Sequence, residues 1–393
     1  MTMLRNAKRS GKKFLNPVLT SVGEWSTILK VLPLYLKSRN ERAPLRPLGP
    51  FKTDVSAYRT PPESGLRVTW MGHSSLFVEI DGANVLIDPV WDERASPVQW
   101  AGPRRFFPPP LSLEHLPRID VVLISHDHYD HLGEATIRKL SRMDSMRQTR
   151  WVTSLGVGAI LQRFGVHRAQ IVELDWTHST TVAEGALDIT AVPARHFSGR
   201  KMGNRFETLW SAFVLKGSRH KVYFGADSGW WEGFAEIGAT YGPFDLTMLE
   251  IGAFHELWAD IHMGPEGAVR AFAALGGRGL MMPIHWGLFD LALHGWKEPI
   301  QQMLDLPRTS RFCYGRRNRG VRRTWCKGAK FARTGGVESG ITSQKKGGCP
   351  VQGSPCEEEL FRMRRTICAV SHLPDQGGLC PARSMSTAPA WQP

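Results

Sequence analysis

The stretch SHDHYDHLG, Ser125 to Gly133, puts three histidines and two aspartates into six consecutive positions, His126 to His131. Before it runs IDVVLIS (119–125), a nearly unbroken apolar, β-branched segment of the kind that forms a strand buried on both faces. After it comes GEATIRKLSRM, whose apolar spacing is helical. The cluster therefore sits on a strand-to-helix turn, where side chains converge beyond the strand's end. Imidazole and carboxylate are ligands of zinc, manganese or iron. Alternate residues of an extended loop point the same way, so His126 and His128 can chelate one ion, with Asp130 and His131 turned toward a second. Packing so many titratable groups together without a cation would be electrostatically costly.

A two-ion site needs more ligands, and they are expected at other strand ends. Three positions qualify: His196 after LDITAVPA, Asp227 closing KVYFGAD, and His285 closing GLMMPIHW. Around them the chain is a series of short apolar runs bounded by turn residues. LRVTW, SLFVEI and NVLIDP read as a meander with its turn at Asp81-Gly82, and WVTS, IVELD, STTVAEG, WSAFVLKG and LTMLEIG as further strands. GVGAILQRFG and PEGAVRAFAALG read as helices, the second with Pro265 in its first turn. GVGAILQRFG lacks a full GxGxxG and is read as packing, not a dinucleotide loop. Antiparallel meanders and buried strands with interspersed helices predict an α+β class, two mixed sheets packed face to face with helices outside. No periodicity is evident after about residue 307.

HDHYDH, ARHFSGR, FGADSGW and PIHWG, in that order, resemble the metallo-β-lactamase fold, an αββα sandwich. WMGHSS, NVLIDPVWDERASPVQWAGPRRFFPPP and HMGPEGAVRAF further resemble the branch containing N-acylphosphatidylethanolamine-hydrolysing phospholipase D and its bacterial relatives. The resemblance covers about residues 60–300; its metal motifs are specific for the fold and much less so for a substrate. Carried over by motif, it implies that His126, His128 and His196 bind one ion, that Asp130, His131 and His285 bind the other, and that Asp227 bridges them. Two divalent ions, zinc first with manganese or iron as alternatives, would lower the pKa of a shared water to give a hydroxide nucleophile. Asp130, Asp227 and His262 are the catalytic candidates. Asp88 resembles a strand-end aspartate that supports the ligands. His73 and His262 either contact a phosphate or leaving group, or brace a loop. His115, His167, His178, His220, His255 and His294 are read as ordinary core or surface histidines. Trp91, Trp100, Phe106, Phe107, Trp230, Trp231, Phe254 and Trp258 either line an acyl-chain groove or fill the core.

The expected activity is that of a phosphodiesterase acting on N-acylphosphatidylethanolamine-type phospholipids. A sugar-phosphate lactonase of the same fold and an inactive binding protein are the alternatives, and hydrolysis of β-lactam antibiotics is not expected.

The ends of the chain differ from its middle. Residues 1–49 carry 10 Lys+Arg against 2 Asp+Glu, and 308–393 carry 16 against 5, so 50–307 keep 24 against 29, a net −5. The chain's net +14 is thus a property of its termini, and a slightly acidic middle argues against nucleic acid as a partner. Three units are expected: a basic lead-in (1–49), a hydrolase-like domain (50–306) and a basic tail (307–393). In the lead-in, GEWSTILKVLPLYLKS is an amphipathic helix that either docks on the domain or lies on an anionic membrane surface. All six cysteines, Cys313 to Cys380, lie in the tail, without a CxxC pair. The tail's composition suits a disordered segment or an out-of-frame translation, and resequencing the gene across that junction decides between them. No signal peptide or membrane-spanning helix is expected, which suggests a cytoplasmic protein with peripheral membrane attachment as an option.

Overall fold

The computed structural model describes residues 3–23, 30–31, 33–35, 40–46, 48–201 and 203–306, and the backbone of 368–369. The strands are β1 (Arg9–Ser10), β2 (Lys13–Phe14), β3 (Leu66–Gly72), β4 (Ser75–Ile80), β5 (Ala83–Ile87), β6 (Val121–Ile124), β7 (Arg150–Ser154) and β8 (Ile171–Leu174). Then follow β9 (Ser179–Val182), β10 (Leu187–Val192), β11 (Ala212–Lys216), β12 (Lys221–Phe224), β13 (Leu246–Glu250), β14 (Leu280–Ile284) and β15 (Cys368–Ala369). The helices of three turns or fewer are α1 (Glu134–Leu140), α2 (Gly158–Arg163), α3 (Gly233–Tyr241), α4 (Gly264–Ala274) and α5 (Glu298–Asp305).

One sheet has the order β15-β3-β4-β5-β6-β7-β8 and the other β14-β13-β12-β11-β10-β9. Period-two alternation shows why both faces of the first sheet are covered. Leu76, Val78, Val85, Ile87, Val121 and Leu123 join the core shared with the second sheet, while the intervening Phe77, Leu86, Val122 and Ile124 pack on Ile137 and Leu140 of α1 and Ile160 and Leu161 of α2. The second sheet is covered by α4 through Ala268, Ala271 and Phe272. The result is the predicted two-sheet α+β sandwich with helices outside. Fully buried Phe213, Phe224 and Phe272 each contribute about 1.5–3 kcal/mol. With a core of this kind, residues 3–306 need no disulfide and contain no cysteine.

Asp81 and Gly82 both take left-handed φ, 47° and 93°, as a two-residue hairpin turn requires. Two helices were not expected from the sequence. In α3, Gly238 lowers helix propensity, but an added Cβ there would sit 2.7 Å from the Leu275 backbone, so the glycine permits the close approach to the end of α4. In α5, eight residues are too few to show a clear period, yet Ile300 and Met303 are buried.

Of the expected amphipathic helix (23–38), residues 30–31 and 33–35 are helical, Gly23 is not, and the rest lies outside the described residues, as does the tail except for the backbone of Cys368–Ala369, which pairs with β3. Residues 3–23 are packed on the domain: Phe14 is buried in the main core, and Met3, Leu4, Ala7 and Val18 lie against it. Among the described residues no helix is long and apolar enough to cross a membrane.

Candidate metal centre

Strand direction gathers the candidate residues. Because β4 runs opposite to its neighbours, β3, β5 and β6 point the same way, and β10, β12, β13 and β14 do so in the other sheet. His73 follows β3, Asp88 follows β5, and His126 to His131 follow β6. His196 follows β10, Asp227 follows β12, Glu250 ends β13 and His285 follows β14. His73, Asp88, Ala226 and His285 all have positive φ (57°, 40°, 49° and 61°), so the chain bends sharply as it leaves these strands. Such conformations cost about 1–3 kcal/mol each and persist where the surroundings dictate them.

The potential ligand atoms of His126, His128, His196 and Asp227 lie within 4.8 Å of one another, as do those of His73, Asp130, His131 and His285. A third such group, Asp227, Glu250, His262 and His285, overlaps the first two. His128 Nδ1 is 2.9 Å from His126 Nε2 and 3.3 Å from His196 Nε2. Asp227 Oδ2 lies 3.1 Å from Nε2 of both His131 and His285, 3.6 Å from His196 Nε2 and 3.9 Å from His126 Nε2. Tetrahedral bonds of about 2.0–2.1 Å set neighbouring donors roughly 3.3 Å apart, so these spacings suit shared cations. His131 Nε2, His285 Nε2 and Asp227 Oδ1 are buried without a hydrogen-bond partner, a condition native folds rarely tolerate and a cation would relieve. The donor set therefore fits two divalent ions, and all seven residues predicted as ligands meet at this edge.

Supporting contacts orient the rings. Asp88 is fully buried; its Oδ1 accepts from the Ser125 N–H (2.7 Å), and its Oδ2 accepts from Ser125 Oγ (2.6 Å) and from His131 Nδ1 (2.7 Å). His196 Nδ1 donates to the Ile261 carbonyl at 3.0 Å. Both rings thus turn Nε2 inward. His73 is buried and its Nε2 pairs with Asp130 Oδ2 at 2.9 Å, a contact that fits a brace. Asp127 and Tyr129, the remaining polar members of the quoted stretch, face the 196–206 loop: Asp127 Oδ1 accepts from the Gly199 N–H (2.6 Å), and Tyr129 donates to the Arg200 carbonyl (2.8 Å).

Glu250 was missed by the sequence reading. Its Oε2 accepts from His262 Nδ1 at 2.6 Å and its Oε1 from the N–H groups of Ser228 (3.2 Å) and Met263 (3.1 Å). The available signal was an acidic residue closing the apolar strand LTMLE, the placement that singled out Asp227. His262 stacks on His285 with centroids 5.1 Å apart. His128, Asp130 and His262 are half-buried where their neighbours are fully buried, so they mark the side of the centre open to solvent.

Charge is distributed unevenly. Burial opposes protonation of His131 and His285, but Asp227 and Asp130 outweigh it, holding His131 well above the usual histidine range and raising His285 to about 10. Burial and neighbouring imidazoles hold His126 and His196 well below that range. Burial would raise Asp227 and Asp130, but facing histidines, His131 first, keep both well below the carboxylate range. In the metal-free protein, protons on His131 and His285 thus balance the two carboxylates, and a cation must displace them. Metal binding near neutral pH is therefore expected to release protons, with affinity rising as pH increases toward about 10. Titration calorimetry in buffers of different ionisation heat checks this; binding without proton release would refute it.

Other expectations resolve differently. Gly156 and Gly158 donate their N–H groups to Glu173 Oε1 (2.6 and 3.0 Å), so the glycine-containing turn holds the protein's own carboxylate. Phe107 and Trp231 are core residues, and of the eight loop aromatics considered as a groove only Trp100, 83% exposed, presents most of its ring. His220 pairs with Asp81 and His115 with Ser112, ordinary bracing contacts.

The chain is 49% identical over 243 residues to an uncharacterized protein of Mycobacterium tuberculosis, covering 61% of this chain and 64% of that one. It is 34% identical over 237 residues to the N-acyl-phosphatidylethanolamine-hydrolyzing phospholipase D 1 of Caenorhabditis elegans, covering 58% of this chain and 66% of that one. It is also 30% identical over 229 residues to a metal-dependent hydrolase of Methanopyrus kandleri, covering 57% and 85% respectively. The chain thus spans under two thirds of the length of the first two relatives. A family model described as the beta-lactamase superfamily domain matches residues 83–286, more than half of the chain. With its two mixed sheets and the histidines and aspartates at their common edge, the chain belongs to the beta-lactamase superfamily and carries a metallo-β-lactamase domain.

Proposed function

We propose that this protein is a binuclear metal-dependent hydrolase that cleaves the phosphodiester of N-acylphosphatidylethanolamine-type phospholipids into phosphatidic acid and an N-acylethanolamine. The observation that carries the reading is Asp227 Oδ2, set between two histidine groups that each have the donors for one ion. His126, His128 and His196 would hold one cation, Asp130, His131 and His285 the other, and Asp227 both. Bound divalent ions supply Lewis acidity toward the phosphoryl oxygens and make a water nucleophilic at neutral pH.

The chain's own groups do the rest. Asp130, half-buried beside the centre and steadied by His73, orients the attacking water as a hydrogen-bond acceptor. His262, with Nδ1–H held by Glu250, presents Nε2 to the open side; protonated there by solvent, the ring gives that proton to the departing alkoxide of the N-acylethanolamine. The lipid part of the reading is supported by the named activity of the Caenorhabditis elegans relative and by exposed Leu34, Tyr35, Leu45 and Trp100. A cavity of about 790 Å³ lined by Tyr35, Pro44, Phe106, Arg104, Glu93 and Asp290 is of a size to accept part of a lipid.

The test is turnover by the zinc- or manganese-loaded full-length protein in mixed micelles, with both products identified by mass spectrometry. Release of phosphatidic acid together with an N-acylethanolamine is expected. Cleavage of a generic aryl phosphodiester without lipid turnover would remove the lipid part, and faster turnover of a sugar-phosphate lactone would replace it.

A further inference from the structure

The first residues of the chain precede the span matched by the family model, yet they reach the metal centre from behind. Phe14, at the end of β2, is buried in the main core and donates its N–H to the Phe206 carbonyl at 2.8 Å. Two residues later the Asn16 side chain lies along the backbone of His196. Its Nδ2 donates to the His196 carbonyl (2.7 Å), and its Oδ1 accepts from the His196 N–H (3.0 Å). A carboxamide paired both ways with one residue's main chain does what a neighbouring strand would do: it fixes that peptide in two directions.

The residues that follow repeat the attachment. Arg195 donates from Nε to Thr20 Oγ1 (3.1 Å) and from its NH2 group to the Leu19 carbonyl (2.8 Å), and it pairs with Asp260 Oδ1 (2.7 Å). The Ser21 N–H donates to Asp260 Oδ2 (2.9 Å). Asp260 immediately precedes Ile261, whose carbonyl takes the His196 Nδ1 proton, and His262. Residues 14–21 therefore tie down both segments that place His196 and His262.

We propose that Asn16 is a positioning residue of the metal centre: acting through the His196 backbone, it holds His196 Nε2 in register with His126, His128 and Asp227. This rests on the binuclear reading above. A ligand must meet its ion within about 0.2 Å, so a loop freed by even a small shift loses affinity. Outer contacts of this kind typically matter by about 10–100-fold in metal affinity.

The test is titration of the metal-free full-length protein with Co²⁺, following stoichiometry and the visible ligand-field spectrum of the bound ion. Four proteins are compared: wild type, Asn16→Ala, Asn16→Asp and Phe14→Leu. Asn16→Asp keeps the acceptor for the His196 N–H but sets an oxygen against the His196 carbonyl. Phe14→Leu loosens the strap's core anchor and leaves the Asn16 contacts in place. The wild type is expected to take up two equivalents. Both Asn16 variants are expected to bind one of the two about 10–100-fold more weakly with a changed spectrum, while Phe14→Leu keeps wild-type affinity and spectrum. Should Asn16→Ala fail to fold, Asn16→Asp, which is isosteric, decides. Wild-type affinity and spectrum in the folded Asn16 variants would overturn the proposal, and so would an equal loss in Phe14→Leu. A wild type that takes up no metal would overturn the binuclear reading and this inference together.

Discussion

Replacing Asp227 by Asn is expected to leave the purified protein with at most one tightly held metal equivalent and to lower hydrolytic turnover by about 10²–10³-fold or more. Its Oδ2 stands 3.1–3.9 Å from four histidine nitrogens, so its charge serves both groups of ligands. The metal-free protein should suffer as well. Asp227 is the leading counter-charge to the raised His131 and His285, and removing one partner of a buried charge pair typically costs about 3–5 kcal/mol. Elemental analysis and urea unfolding of the apoprotein measure the two effects. Two equivalents of metal with unchanged apoprotein stability would remove Asp227 from the centre of the scheme.

The opposite pattern is expected for Glu250→Gln: both metal equivalents retained, kcat reduced by about 10²-fold, and KM nearly unchanged. Glu250 holds His262 by Nδ1 and anchors the Ser228 and Met263 backbones. Gln can still accept from the two backbone groups, but it offers no charged acceptor to the imidazole, so His262 loses the partner that sets its tautomer and direction. The loss should not add to that of His262→Ala, because both substitutions disable one unit. Loss of a metal equivalent in Glu250→Gln would instead make Glu250 a ligand, a role its place beside Asp227, His262 and His285 would allow. Wild-type kcat would exclude any part for it in proton transfer.

Reading the sequence succeeded where the decisive residues are neighbours in the chain or share a recurring position. HDHYDH announces itself because its ligands are contiguous, and His196, Asp227 and His285 could be chosen because each closes an apolar strand. The Asp81-Gly82 turn was legible for a similar reason, since two consecutive left-handed residues are a local demand. Glu250 obeys the same strand-end rule as Asp227, yet none of the motifs that carry the resemblance contains it; its part shows only through its contacts with His262, Ser228 and Met263. Helix α3 was hidden by Gly238, a residue that weakens the helix signal and is explained only by the Leu275 backbone lying against it.

What the amino-acid sequence alone determined was the chemistry: strands of period two, helices of period 3.6, and the donor types a divalent ion accepts, all properties of single residues and their near neighbours. What only the tertiary structure decided was which atoms meet. Asn16 and His196 are 180 positions apart, and Asp88 reaches His131 across 43. Contacts at such separations leave no periodic trace in a chain; they exist because two sheets, packed through a shared apolar core, bring their strand ends to one edge and leave their polar side chains only one another, or a cation, to satisfy them.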